Sequence, residues 1–222
     1  MVSPESMVKD QQKHRHITAR LLMALLLSLL LISGLTACGS RTARQTWEEG
    51  FDTSGTWDLS SDAAAEVTIQ DSQLHIHILQ AGQVAWTSAG HNYTDFNLQV
   101  EATQVTGPAN NEYGVLARMD ENERFYVFSI SGDGYARVAR YEAGAWELLS
   151  ADWFPHEAIH QGTATNTLEL EVQGSQFTFH VNGEEITTVK DETLIKGDIG
   201  LYAGAFSEPD VHIAFDNLQV SP

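Results

Sequence analysis

Cationic side chains and cysteines are scarce in this sequence of 222 residues. Twelve Lys and Arg stand against 30 Asp and Glu, which gives a formal charge of -18. Nucleic-acid binding without sequence preference depends on Lys and Arg that neutralise phosphates, so this balance excludes a nucleic acid as the partner. The single cysteine excludes both disulfides within the chain and the chemistry of paired thiols. The composition, 42% hydrophobic and 19% charged, is that of a globular domain.

Long apolar runs are also missing, except for one near the N-terminus. Residues 1–20 are polar and contain four cationic side chains, and an apolar run from Leu21 to Ile32 follows, interrupted only by Ser28. This run is shorter than the roughly 20 residues that a membrane-spanning helix needs. A cationic segment, a short apolar run and small residues in that order are typical of a secretory signal peptide. We therefore predict a signal peptide over residues 1–37.

The four residues at the end of this segment, Leu35-Thr36-Ala37-Cys38, resemble the lipobox of bacterial lipoproteins. The resemblance implies that Cys38 becomes the lipidated N-terminus, that residues 38–46 form its tether, and that the protein is extracytoplasmic and anchored to a bacterial membrane. The chain after the signal peptide retains 8 cationic and 28 acidic side chains, a charge of -20. Because anionic headgroups repel such a surface, we expect the lipid to provide the membrane attachment. The alternative is an ordinary signal peptide and one odd thiol.

Helical periodicity is almost absent from residue 47 onward. Segments such as 74–78, 96–100 and 168–172 instead alternate apolar and polar residues, and Gly, Asn, Asp or Pro bound them. Alternation of this kind predicts strands with one buried face, and Asn182-Gly183 is a strong signal for a tight hairpin. About a dozen such strands in one unit without an internal linker predict a single all-β domain of two packed antiparallel sheets.

Several segments of this body together carry a family resemblance. They are Val84-Ala85-Trp86, Phe96-Asn97-Leu98-Gln99-Val100, Tyr113-Gly114-Val115-Leu116-Ala117-Arg118, Phe125-Tyr126-Val127-Phe128, Gly132-Asp133-Gly134-Tyr135, Asn182-Gly183, Gly197-Asp198-Ile199-Gly200-Leu201 and Phe215-Asp216-Asn217. The chain resembles the concanavalin A-like lectin/glucanase superfamily, and more narrowly the laminin-G-like modules of bacterial surface proteins, among them relatives of the 3-keto-disaccharide hydrolase domain. The resemblance implies a jelly-roll sandwich over residues 47–222, with one concave face and, in many relatives, a carbohydrate ligand. Function varies widely on this fold.

A carbohydrate site needs flat rings that stack on sugars and planar polar groups that bind hydroxyls, and the central strands contain both. If Phe128 faces the core, Phe125 faces outward by period 2, while Arg118 is expected to share a face with Leu116. On the next strand, Tyr135, Arg137 and Tyr141 are expected to share the face that Val138 does not occupy. We predict that a glycan contacts Arg118, Phe125, Tyr135, Arg137 and Tyr141. Trp86, Trp146 and Trp153 are expected in the core or at its rim.

Acidic residues near both ends of the domain indicate a calcium site. Jelly-roll modules often bring the first and last strands together around a cation, and Ca²⁺ binds six to eight oxygens. Glu49, Asp52 and Asp216 are the candidate ligands. The alternative is that Asp52 begins a turn and Asp216 caps a strand.

Two histidine patterns could bind zinc. His156-Glu157-Ala158-Ile159-His160 matches the motif of zinc peptidases, whose mechanism requires a helix that brings both histidines to one face. His75 and His77 lie two residues apart and so share one face of a strand, but no third ligand is evident from the sequence.

The sequence thus predicts a lipid-anchored carbohydrate-binding module, similar to a lectin and without catalytic activity. The alternatives are a sugar-active hydrolase on the concave face, a protein-interaction module, and last a zinc peptidase at His156 and His160. The Glu-x-Asp-x-Glu strand of the retaining glucanases is absent from the sequence, and the sequence does not show which of Glu101, Asp120, Glu123 and Glu142 would meet across a glycosidic bond.

Overall fold

A computed structural model describes residues 45–222, which form fifteen strands and no helix. The prediction of an all-β sandwich is therefore confirmed. Within this range no helix is present that is long and apolar enough to span a membrane. The predicted signal peptide and Cys38 lie outside the described residues.

The larger sheet contains eight antiparallel strands. Seven of them follow the order β13-β12-β11-β5-β15-β3-β2, and β1 pairs with β15 at residues 218–220, next to the β3 pairing on the same edge. The strands are β1 (Trp47–Glu49), β2 (Ala65–Gln70), β3 (Gln73–Ile78), β5 (Phe96–Thr106), β11 (Asn166–Gln173), β12 (Gln176–Val181), β13 (Glu184–Lys190) and β15 (Val211–Ser221). The predicted turn at Asn182-Gly183 joins β12 to β13, and both residues have positive φ, as a tight hairpin of this type requires.

The smaller sheet contains seven strands. Six follow the order β10-β8-β7-β6-β14-β4, and β9 also pairs with β8. The strands are β4 (Val84–Tyr93), β6 (Asn111–Met119), β7 (Phe125–Ile130), β8 (Tyr135–Glu142), β9 (Ala145–Leu148), β10 (Phe154–Pro155) and β14 (Gly197–Ala205).

The core lies between the two sheets and is built by alternation along the strands. On β3, Leu74, Ile76 and Ile78 are fully buried in this core, whereas the residues between them lie on the outer face. On β7, Tyr126 and Phe128 face inward, as period 2 predicts, and the Phe128 ring stacks on Phe177 of the opposite sheet with 5.6 Å between centroids. Aromatic pairs of this kind add to the free energy that the buried area itself provides.

The smaller sheet is buried on its outer face as well. Every residue of β7, and all of β6 except its last, is buried. The side chains that point away from the sandwich form a second apolar cluster of Leu116, Phe125, Val127, Ala139 and Tyr202. An outer sheet face is ordinarily polar in a sandwich of this type, so this second cluster distinguishes the smaller sheet.

A β-bulge near the end of β6 corrects the predicted position of Arg118. Ala117 and Arg118 together stand opposite Ile199, because Leu116 pairs with Gly200 and Met119 with Asp198. Arg118 has a positive φ of 55°, and an extra residue in this conformation redirects the side chain. The expectation that Arg118 shares a face with Leu116 is therefore wrong.

The Arg118 side chain is instead buried at one end of the sandwich, with 1% of it exposed. Its Nε and Nη2 donate to the carbonyl of Thr94, Nη1 donates to that of Leu194 at 2.9 Å, and Nη2 also donates to that of Gly174 at 2.6 Å. The guanidinium lies over the Phe177 ring, 4.9 Å from its centroid. These contacts join three loops to one side chain.

Arg140 also points toward the interior side of the smaller sheet. Its Nη1 donates to Asp191 Oδ2 at 2.5 Å, and the Tyr126 hydroxyl donates to Asp191 Oδ1 at 2.6 Å. Burial and the hydrogen bond to Asp191 raise the pKa of Tyr126 to about 12, so the phenol remains a neutral donor. Arg140 and Arg118 therefore hold the sandwich together at its end.

Replacing Arg118 by Met should destabilise the protein by at least about 3 kcal/mol, because three loop carbonyls would lose a charged donor in a buried position. Chemical denaturation, followed by circular dichroism, measures this change in the free energy of unfolding. Arg124→Met is the matched control: Arg124 binds Asp120 at 2.6 Å on the surface, so its loss should cost less than about 1 kcal/mol. Equal effects of the two substitutions would contradict the structural role assigned to Arg118.

Candidate functional site

The outer face of the smaller sheet carries a continuous group of aromatic side chains, which we call the aromatic face. Ring centroids are 5.3 Å apart for Trp86 and Phe125, 5.1 Å for Phe125 and Tyr141, and 4.8 Å for Tyr141 and Trp146. Trp146 also meets the edge of Tyr202 at 6.1 Å. The aromatic face consists of Trp86, Phe125, Tyr135, Tyr141, Trp146, Trp153, Tyr202 and Phe206.

Strand register explains why these rings meet. Tyr141 of β8 stands directly opposite Phe125 of β7 on one side and Trp146 of β9 on the other. Trp86 of β4 stands opposite Tyr202 of β14. Directly opposed side chains on antiparallel strands are about 5 Å apart at Cβ. The rings therefore form two rows, one across β7, β8 and β9 and one across β4 and β14. The rows meet where Trp86 contacts Phe125 and where Trp146 contacts Tyr202.

The aromatic face includes exposed apolar surface. Trp146 is 36% exposed and Tyr135 is 38% exposed, and Val84 and Leu148 beside them are exposed as well. These four account for most of the seven large exposed hydrophobic side chains among residues 45–222. An exposed apolar patch that is confined to one face marks a binding surface. Phe125 is fully buried and supports the rings above it.

An ion pair lies beneath these rings. Arg137 Nη2 donates to both carboxylate oxygens of Glu112, at 2.6 and 2.8 Å. Glu112, the only acidic side chain in the described range that is buried, also accepts from the Ser129 hydroxyl at 2.7 Å and from the Tyr202 hydroxyl at 3.2 Å. Burial, and then the charge of Glu112, raise the pKa of Tyr202 well above its usual value, so this hydroxyl is a permanent donor to the carboxylate.

Arg137 is also held from above. Its guanidinium lies over the rings of Trp146 and Trp153, at 5.4 and 5.0 Å from the centroids, and each such contact stabilises the position of the cation. Its Nε is buried and has no hydrogen-bond partner among the described residues. Arg137 therefore connects the two tryptophans above it to the carboxylate of Glu112 below.

A pocket of about 230 Å³ extends the aromatic face at one end of the smaller sheet. It is lined by Asn110, Ser131, Asp133, Tyr135, Trp153 and Phe206. Trp153 and Phe206 meet edge to face at 5.8 Å. Apolar rings together with an amide, a hydroxyl and a carboxylate form a lining that suits a ligand with both apolar and hydroxyl surfaces.

The structure brings four of the five predicted ligand residues to this face. Phe125, Tyr135, Arg137 and Tyr141 lie on the outer side of β7 and β8, as their alternation predicts, but Phe125 is fully buried beneath the other rings and so cannot itself contact a ligand. Arg118 lies apart from them, and four of its hydrogen bonds already go to carbonyls inside the protein, so it cannot contact a ligand on this face.

Sequence reasoning missed Trp86, Glu112, Trp146, Trp153 and Tyr202 as members of the site. Trp146 had a usable signal, because the turn at Gly144 places it opposite Tyr141 in a hairpin. Trp86 and Tyr202 meet only through the pairing of β4 with β14, which are more than 100 residues apart in the chain. The three tryptophans, expected in the core or at its rim, lie on the outer side of the smaller sheet, where Trp86 packs against the second apolar cluster.

The three predicted calcium ligands have separate partners. Glu49 accepts from the backbone N–H of Phe51 at 2.8 Å, Asp52 accepts from Ser72, and Asp216 accepts from Gln73. No three His, Cys, Asp or Glu side chains within residues 45–222 converge in a geometry ready to hold a metal ion. Calcium binding stays a prediction.

The zinc-peptidase interpretation is wrong. The segment of His156 and His160 forms turns after β10, so no helix brings the two imidazoles to one face. His156 Nδ1 accepts from the backbone N–H of Ala158 at 3.2 Å, and His160 contacts the carbonyl of Thr165. Pro155 at the start of the segment and Gly162 at its end, with a φ of 68°, keep it too short and too irregular for a helix.

His75 and His77 do have a neighbour that the sequence did not reveal. On the outer face of the larger sheet, His212 of β15 stands opposite His77 of β3, and its Nε2 lies 3.0 Å from His75 Nδ1. Burial, and then the neighbouring charges of His75 and His77 when protonated, lower the pKa of His212 to about 4.

Comparison with known proteins defines the fold. Neither a protein-family model nor a curated protein matches the sequence. The carbohydrate-binding module CBM66 from Bacillus subtilis is similar in structure with a TM-score of 0.60 and 15% identity, over 75% of this chain and 96% of that one. A β-1,3-1,4-glucanase (lichenase) derived from a mouse hindgut metagenome is similar with a TM-score of 0.59 and 13% identity, over 80% of this chain and 99% of that one.

A third similar structure is a Bacillus subtilis protein of unknown function with a galectin-like fold, with a TM-score of 0.56 and 11% identity over 79% of this chain and 94% of that one. Together these similarities show that the chain has the concanavalin A-like lectin/glucanase fold, as the sequence resemblance predicts.

The low pKa of His212 predicts a specific pH dependence of stability. Between about pH 6.5 and about pH 4, an unfolded His212 binds a proton that the folded one does not, so the free energy of unfolding falls as the pH decreases through this window. His212→Asn should make this fall smaller, as measured by urea denaturation at several pH values. His180→Asn, on the distant strand β12, is the control, and its free energy of unfolding should depend on pH as that of the wild type does. An unchanged slope in the His212 variant would contradict the prediction.

Proposed function

We propose that this protein binds a carbohydrate through the aromatic face. The observation that carries the proposal is the row of partly exposed rings on the outer side of the smaller sheet, where the sheet of an ordinary sandwich is polar. Sugar rings have apolar C–H faces that pack on aromatic side chains, and the sugar hydroxyls need hydrogen-bond partners beside the rings. Trp146 and Tyr135 supply exposed rings, and Asp133 and Asn110 supply polar atoms close to them.

The names of similar structures support this class of ligand. They include a carbohydrate-binding module and a lichenase. Their identity to this chain is low, so the aromatic face of this chain, rather than any matched residue, supports the proposal.

The charge of the protein restricts the class of glycan. The chain has a formal charge of -18, and Arg118, Arg124, Arg137 and Arg140 all bind acidic side chains within the protein. An anionic glycan would meet long-range repulsion, and all four arginines within residues 45–222 already pair with carboxylates of the protein. The proposed ligand is therefore an uncharged polysaccharide or oligosaccharide.

We propose further that binding is not followed by hydrolysis. Glycoside hydrolysis uses two carboxylates, one as the acid and one as the base or nucleophile, about 5 to 10 Å apart. The buried carboxylate of the aromatic face, Glu112, accepts two hydrogen bonds from Arg137 and others from Ser129 and Tyr202. Both oxygens of this carboxylate are thus occupied by donors of the protein, so Glu112 serves to position Arg137.

The lipid anchor at Cys38 is part of the same proposal and is supported by the lipobox pattern alone. A protein that is attached by acyl chains outside the cytoplasm would present its aromatic face to polysaccharides of the cell envelope or the surroundings.

Trp146→Ala and Tyr135→Ala should each weaken glycan binding about 10-fold or more, which corresponds to ~1.4 kcal/mol for one stacked ring. The measurement is a glycan array probed with the full-length chain in mild detergent, followed by titration of the best ligand, with Ca²⁺ in one arm and EDTA in the other. Ile195→Ala removes an exposed apolar side chain elsewhere, since Ile195 is 67% exposed, and should leave affinity unchanged.

Three outcomes would contradict the proposal. The first is silence of the folded protein on the whole array, and the second is equal binding by the wild type and Trp146→Ala. The third is release of reducing ends from the bound glycan by the wild type and not by Glu112→Gln, which would replace the non-catalytic proposal by a hydrolase. Loss of binding in EDTA alone would support the predicted calcium site.

Cys38→Ala should move the protein from the membrane fraction to the soluble fraction of a bacterial host, because the thiol that carries the lipid is missing. Fractionation followed by immunoblotting measures the distribution. Ser40→Ala, two residues further on, is the control and should stay with the membrane. Retention of the Cys38 variant at the membrane, without acyl label on the wild type, would contradict lipid anchoring.

A further inference from the structure

Three histidines lie together on the outer face of the larger sheet, away from the aromatic face. His75 and His77 are two residues apart on β3, and Leu74, Ile76 and Ile78 between and beside them enter the core. His212 is directly opposite His77 on β15. A strand that carries two histidines at i and i+2, next to a strand with a third, places three imidazoles on one side of a sheet within reach of each other.

The rings are in contact. Ring centroids are 5.0 Å apart for His75 and His212, and 4.8 Å apart for His77 and His212 with an interplanar angle of 23°. Nδ1 of His75 and Nε2 of His212 share a hydrogen bond of 3.0 Å. One ring of this pair must therefore present a lone pair to the N–H of the other, so each ring has a nitrogen that can act as a metal ligand once this hydrogen bond opens.

Two further observations point to a ligand. Nε2 of His75 is buried and has no hydrogen-bond partner among the described residues, which is uncommon for a buried polar atom. Carboxylates border the trio on two sides: Asp210 Oδ1 lies 3.9 Å from His77 Nε2, and Glu66 of β2 stands opposite His77 in register.

We propose that His75, His77 and His212 bind a divalent transition-metal ion, with zinc as the reference ion. Imidazole nitrogen is a preferred ligand of Zn²⁺, Ni²⁺ and Cu²⁺, and zinc takes three protein ligands plus a water or a carboxylate in a tetrahedron. Asp210 and Glu66 are the two candidates for the fourth position. Binding requires that the hydrogen bond between His75 and His212 opens and that the rings turn about their side-chain torsions, because the trio is not converged in the arrangement described.

The site would stabilise one region of the fold. His75 and His77 belong to β3 near the end of the larger sheet, and His212 belongs to β15, which pairs with β5 and β1 as well. An ion that binds only the folded chain raises the free energy of unfolding according to its concentration and affinity. The ion would thus fasten β3 to β15, and with Glu66 as the fourth ligand it would fasten β2 as well.

Isothermal titration calorimetry with zinc chloride tests the proposal on the untagged full-length chain in mild detergent. His14 and His16 are replaced by Asn throughout, so that the N-terminal segment contributes no imidazole. We expect one zinc ion per chain, and a loss of affinity of at least about 100-fold in His75→Asn, His77→Asn and His212→Asn, more than the loss of an outer-shell partner costs.

The double variant His156→Asn, His160→Asn is the matched control and should bind zinc as the parent does. Absence of saturable zinc binding, or loss of it in the control and not in the trio variants, would overturn the proposal. If a trio variant fails to fold by circular dichroism, the visible spectrum of Co²⁺ bound to the parent decides. Tetrahedral nitrogen coordination supports the site, and an octahedral spectrum of oxygen ligands contradicts it.

Discussion

Much of the sandwich depends on the buried guanidinium of Arg118. It donates hydrogen bonds to carbonyls in three loops: the turn between β4 and β5 at Thr94, the turn between β11 and β12 at Gly174, and the segment between β13 and β14 at Leu194. Two of these segments cross from one sheet to the other. Because one buried cation donates to backbone carbonyls of three segments at once, it fixes how the sheets meet at this end.

The fold was predictable because alternation is local information. The pattern of β3, β5 and β11 shows which side of each strand is apolar, and Asn182-Gly183 fixes one hairpin. The conformation of Arg118 was not predictable in this way. Its side chain turns inward through a single bulge, which depends on how β6 pairs with β14, and no residue of β6 itself signals the extra position.

The site was predictable only where its residues are close in the chain. Phe125, Tyr135, Arg137 and Tyr141 belong to consecutive strands, so period 2 places them correctly. Trp86 and Tyr202 come together through distant strands, and Glu112 is identified only when Arg137 is seen beside it. Aromatic residues fill cores more often than they line sites, so the sequence alone favours the core or its rim for the tryptophans.

The N-terminal strand has a mechanical consequence. β1 contains three residues and pairs only with residues 218–220 near the end of β15. It rests on the core through Trp47, whose ring centroid lies 4.3 Å from that of His91 and 6.2 Å from that of Trp57. A pull on the chain before Trp47 loads this short ladder before any other strand. Once peeled, three residues add roughly 10 Å of extended chain while both central sheets stay intact. β1 would therefore yield first under tension, and the aromatic face, whose strands do not pair with β1, would keep its arrangement.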